Sequence, residues 1–84
     1  MNRHERLLRT ILAGRSDANI RFADLCALMR YLEFDERIRG SHHMYRKDGI
    51  QERVNLQRDN GNAKPYQVRQ VRRVALKYQL GGDE

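Results

Sequence analysis

Leu7, Leu8, Ile11 and Leu12 recur at steps of three and four between Arg3 and Ala13, and Gly14 follows where a left-handed C-terminal cap falls. This spacing predicts a short amphipathic helix. The polar turn-formers Ser16-Asp17-Ala18-Asn19 separate it from a second helix, in which Phe22, Leu25, Cys26, Met29 and Leu32 keep the same period from about Arg21 to Leu32. Cys26 lies on the buried stripe of that helix. Past Leu32 the period changes to two: Phe34, Glu36 and Ile38 alternate with Asp35, Arg37 and Arg39, which predicts a strand. Gly40 permits a tight return or a bulge, Ser41 to Arg46 is a second strand, Lys47-Asp48-Gly49 a hairpin turn, and Gln51 to Leu56 a third strand. Gln57 to Lys64, containing Asn60-Gly61-Asn62, reads as a flexible loop.

Pro65 suits the first turn of a closing helix, where its missing N–H costs nothing. That helix runs to about Tyr78, with Val68, Val71, Val74, Ala75 and Tyr78 on one side and Arg69, Arg72, Arg73 and Lys77 on the other. The predicted order is α-α-β-β-β-α, an α+β chain in which a three-stranded antiparallel sheet covers one face with helices and leaves the other open. At 84 residues the chain is one small domain, able to bury only roughly 60% of its unfolded surface. Apolar residues make up 39%, and their grouping favours a compact fold over disorder. No apolar run approaches a membrane span and the N-terminus lacks a signal-type apolar region, so a soluble, cytoplasmic protein is expected, with no membrane partner. A single cysteine excludes an internal disulfide, and no Cys/His spacing or carboxylate pair suggests a metal or other cofactor.

Charge changes the picture more than size does. The formal net charge is +6, with a pI near 10.1, and Lys47, Lys64 and Lys77 are the only lysines among the 17 basic residues. No acidic residue lies between Asp59 and Asp83. An arginine-rich helix beside an uncovered polar sheet face is the electrostatic footprint of a nucleic-acid binder, with Arg39, Arg46, Lys47, Lys64, Arg69 and Arg73 as candidate phosphate ligands. Base stacking is limited to Tyr31, Tyr45 and Tyr66, since Phe22, Phe34 and Tyr78 are assigned to the core.

The chemically distinctive stretch is Gly40-Ser41-His42-His43-Met44-Tyr45-Arg46, which sets two of the three histidines among cations. RNA carries its own nucleophile, so an imidazole that takes the 2′-hydroxyl proton, with a cation beside the phosphorane, suffices for metal-free scission. On a regular strand His42 and His43 point to opposite faces, so one is catalytic and the other structural; periodicity does not decide which, because Met44 and Tyr45 are both partly apolar. His43, Tyr45 and water all remain open as the group that protonates the leaving oxygen. His4 and Cys26 are assigned no chemistry, and Asp35, Glu36, Asp48, Glu52 and Asp59 read as solvated charges.

This stretch resembles the glycine-serine-histidine signature of the HicA toxins, small bacterial RNases of type II toxin/antitoxin pairs. Phe34 before it, Val54-Asn55-Leu56-Gln57 after it, and Lys64-Pro65-Tyr66-Gln67-Val68 opening the last helix are similar to that family's pattern, over roughly Phe22 to Leu80. The resemblance implies a double-stranded-RNA-binding-domain-like fold, endoribonuclease activity on messenger RNA and a HicB-like antitoxin. It places the catalytic histidine at His42, with Gly40 and Ser41 shaping the approach, and makes residues 21–80 the αβββα core with residues 1–14 an added N-terminal helix. The alternative is a non-catalytic RNA-binding module using the same basic face, and a third reading is a domain whose basic surface meets an acidic protein.

Overall fold

Helix α1 (Arg3–Ala13) begins where Asn2 accepts the Glu5 N–H at 2.8 Å while Glu5 reaches back to the Asn2 N–H, a reciprocal capping box. It stops at Gly14, whose φ of 74° lets its N–H turn back onto Ile11 and Thr10. The structure, a computed structural model, describes residues 1–81. A single 3-10 turn (Asp17–Asn19) leads to α2 (Phe22–Tyr31), which has no side-chain cap; its first N–H is instead donated to the Gly61 carbonyl at 3.0 Å. At its far end Glu33 adopts φ 68°, with Glu33 N–H on the Arg30 carbonyl and Phe34 N–H on that of Met29. This is a Schellman stop built without glycine, closed by burial of Phe34 and Met29.

Four strands follow: β1 (Asp35–Arg39), β2 (His42–Arg46), β3 (Val54–Asp59) and β4 (Asn62–Ala63), antiparallel in the order β1-β2-β3-β4. Helix α3 (Pro65–Tyr78) closes the chain with Pro65 in its first turn. The fold is thus α+β, with four strands where three are expected. The stretch read as a loop is a hairpin: Asn60 (φ 54°) and Gly61 (φ 83°) both take the left-handed conformation of a type I′ turn, and Asp59 pairs with Asn62. The third strand therefore lies three residues later than its predicted Gln51–Leu56. Its predicted hairpin turn, Lys47-Asp48-Gly49, is a type II-like turn inside a longer connection, with Gly49 at φ 88° and the Ile50 N–H on the Lys47 carbonyl.

Helices α2 and α3 pack on one face of the sheet around Leu25, Leu28, Met29, Tyr45, Val54, Leu56 and Val68, each at most 1% exposed, and α1 packs against these two helices. Helix α1 joins the same core through Leu8 and Ile11 and is held by Arg72, which forms a two-pronged pair with Asp17 (2.6 and 3.0 Å) and also donates to the Ile11 carbonyl. The outer edge of β4 is covered, since the Ala63 N–H donates to Ile20 and Asn62 bridges to Arg21. The β1 edge stays open and carries Asp35, Glu36, Arg37 and Arg39, charges that discourage strand addition. Among the described residues, no helix is long and apolar enough to cross a membrane.

Candidate nucleic-acid interface

Strand alternation and register decide what the open sheet face displays. Tyr45 is completely buried against the helices, so its pleat neighbours His42, Met44 and Arg46 face away from them. Directly paired residues share a face: Arg39 and Gln57 flank His42, Arg37 and Asn55 flank Met44, and Asp35 lies opposite Arg46. Opposed side chains in such pairs start about 5 Å apart, within reach of one phosphate. The β3–β4 ladder ends at the Arg58–Ala63 pair, and Lys64, extended and half-buried, follows Ala63 as the residue that leads into α3; across the paired strands the row is Arg39, His42 and Gln57. Gly40 makes this row possible. Its φ of 57° closes a two-residue loop between Arg39 and His42, with no bulge, so His42 opens β2 as an exposed residue. Gln57 donates its amide to the Ser41 hydroxyl at 3.3 Å, tying the loop to β3.

The other histidine belongs to the helix side. His43 sits half-buried with its ring edge-on to Phe22, centroids 4.8 Å apart, and its buried Nδ1 has no hydrogen-bond partner. Beside it Tyr45, considered above as a stacking platform or an alternative catalytic group, donates its hydroxyl to Glu36 at 2.6 Å, and Arg30 binds the same carboxylate at 2.7 Å. Burial, with the Cys26 thiol and the Glu36 carboxylate alongside, pushes the Tyr45 hydroxyl far above its ordinary value. The Tyr45 hydroxyl, though partly opposed by desolvation, holds the Glu36 carboxyl below the usual range with help from Arg30. Burial raises the Cys26 thiol. Neither His43 nor Tyr45 shares the face of His42, so neither reaches a phosphate docked there. Glu36 and Glu52, read from the sequence as solvated charges, are both held: Glu52 accepts from Tyr78 at 2.6 Å and from Lys77 at 2.9 Å, which brings its carboxyl down to about 2.

The predicted phosphate ligands separate into groups. Arg39 lies directly opposite His42, Lys64 sits just past the end of β4 with β3 between it and His42, and Arg46 shares the face of His42 farther along β2. Lys47 is tied to the Leu32 carbonyl at 2.6 Å with its ammonium 5.8 Å from the Phe34 ring centre, stabilising the end of α2. Arg69 and Arg73 are exposed on the outer side of α3, behind the sheet, and are not brought together with His42. Arg37 and Gln57 belong to the open face and were missed among the candidates. The alternation of β1 already paired Arg37 with Arg39, whereas Gln57 was hidden by the misplaced third strand. Compared with protein-family models, with curated proteins and with solved structures, the chain matches none.

Proposed function

We propose that this protein is a metal-independent endoribonuclease of HicA type, the toxin of a toxin/antitoxin pair, with a double-stranded-RNA-binding-domain-like fold that cuts messenger RNA on its open sheet face. The observation that carries the reading is the exposed His42 directly opposite Arg39, on a face free of helices. In the reaction His42 takes the proton of the 2′-hydroxyl, the 2′-oxygen forms a bond to phosphorus, and the bond from phosphorus to the 5′-oxygen breaks. The 5′-oxygen leaves with a proton from water, giving a 2′,3′-cyclic phosphate and a 5′-hydroxyl. Arg39 and Arg37 stabilise the charge on the phosphorane, and Lys64 and Arg46 hold neighbouring phosphates. A HicB-like antitoxin carrying acidic residues complements this cationic face and silences it by covering His42.

The test is incubation of purified protein with end-labelled RNA in chelator, beside the same RNA carrying one 2′-deoxy nucleotide at the cut position. Discrete cuts ending in a cyclic phosphate, absent at the deoxy position, are expected. Cutting of the deoxy-substituted bond would refute the mechanism, and retention of RNA without any cutting would make the protein a binding module.

A further inference from the structure

Along the open face, away from the His42 row, the surface dips into a basin of about 420 Å³ bordered by Asp35, Arg37, Arg46, Asp48 and Arg53, with Met44 among them. Its size lies in the range of about 300–1,000 Å³ typical of small-molecule sites. Five of these residues are charged, and among the described residues none of their side chains is paired. The ion pairs among the described residues are Arg30–Glu36, Arg72–Asp17 and Lys77–Glu52, and no side chain of Asp35, Arg37, Arg46, Asp48 or Arg53 makes a hydrogen bond to another described residue. The two other residues at the rim are already committed elsewhere, Glu36 to Tyr45 and Arg30, Lys47 to the Leu32 carbonyl. The basin therefore offers two carboxylates and three guanidinium groups with their capacity intact around a half-buried thioether.

We infer that this basin is a nucleobase subsite, and that it selects guanine next to the cleaved phosphate; the inference rests on the ribonuclease reading above. Met44 lies two residues from His42 on the same strand and face, about 6.7 Å along it, which is a nucleotide's stride along an extended single strand. A polarisable thioether and planar guanidinium groups are surfaces on which an unpaired base stacks. The wall chemistry then chooses the base. Guanine presents adjacent N1–H and N2–H donors that match the two oxygens of one carboxylate, and its O6 and N7 acceptors match the fork of Arg53, the basin guanidinium that holds no phosphate. Cytosine and adenine each present a ring acceptor where guanine has N1–H, which meets a carboxylate with repulsion. Uracil has one donor there and no N7.

The experiment maps cuts by wild-type protein on a single-stranded RNA of randomised sequence, and repeats the map with the double variant Asp35→Asn, Asp48→Asn and with Met44→Ala. Wild-type cuts are expected to be enriched beside guanine by about tenfold, the discrimination a good bidentate contact gives, and each variant redistributes its own cuts toward an even pattern. Wild-type cuts without guanine enrichment, or an unchanged pattern in the double variant, overturn the subsite. A second measurement does not need cutting: the Met44 methyl resonance is followed during titration with each of the four nucleoside 3′-monophosphates. Movement with guanosine monophosphate at concentrations where the other three leave it still supports the subsite even if the protein cuts nothing, in which case the ribonuclease reading alone fails. Equal movement with all four, or none, overturns the subsite.

Discussion

Replacing Tyr45 with phenylalanine separates a structural role from a catalytic one. The ring is fully buried and its hydroxyl makes a 2.6 Å bond to a Glu36 carboxylate whose side chain is 22% exposed. Tyr45→Phe keeps the packing and deletes that bond. Hydrogen bonds to charged groups contribute about 1.5–3 kcal/mol, and because Glu36 keeps Arg30 and some water, about 1.5 kcal/mol is the expected loss. For a domain of this size that lowers the melting temperature by roughly 6–12 °C. The pH dependence has a definite sign. The folded-state value of Glu36 is depressed, so its contribution is present above the ordinary value of 4.5 and is lost as pH falls through the lower folded value. The gap between wild type and Tyr45→Phe is therefore full at pH 7 and narrows in acid. Thermal unfolding across pH, followed by circular dichroism, measures it, and RNA cleavage below both melting points reports activity. Unchanged stability together with a hundredfold loss of cleavage would refute the placement of Tyr45 behind the sheet.

Arg72→Met removes both prongs on Asp17 and the contact to the end of α1 from a half-buried site, and is expected to cost about 2 kcal/mol in urea unfolding. Asp17→Asn added to that variant costs little more, because the two residues act as one unit. Glu52 is brought from 4.5 to about 2, so its contribution is present above pH 4.5 and lost between there and about 2; Glu52→Gln flattens that limb of the stability curve. RNA binding by the His42→Ala protein is expected to weaken with salt at a log–log slope of about −2.8 if four phosphates are neutralised. Arg39→Gln in that background reduces the slope by about 0.7, and Arg73→Gln, on the outer side of α3, leaves it unchanged.

Helices with local caps were legible from the residues alone: Gly14 marks the end of α1 and Pro65 the start of α3. The period of two beginning at Phe34 marks the end of α2 to within a residue, but not its form: Glu33 occupies a left-handed position that glycine usually marks, held by its bond to Arg30, the Phe34–Met29 bond and burial of those two side chains. Two turn signals competed in the sheet. Asp48-Gly49 looks like a tight hairpin, but only Gly49 takes positive φ, whereas Asn60-Gly61 supplies the two left-handed residues a type I′ turn needs. Burial of Val54 and Leu56 then fixes the register and carries β3 to Asp59. The same burial settles the histidines. Met44 and Tyr45 leave the facing of β2 undecided by period, and the contacts of Tyr45 with Glu36 and the helix layer turn His42 outward. Net charge likewise says nothing of layer, which is why Arg69 and Arg73 were grouped with residues on the far side of the sheet.

The most direct measurement compares two neighbours on one strand, His42→Ala and His43→Ala, by single-turnover cleavage of a labelled RNA in chelator with affinity measured in parallel. The account predicts that His42→Ala loses at least about 100-fold in rate at nearly unchanged affinity, while His43→Ala cuts at close to the wild-type rate and loses stability instead. Wild-type cutting by His42→Ala, or a larger catalytic loss at His43 than at His42 in a folded protein, contradicts it.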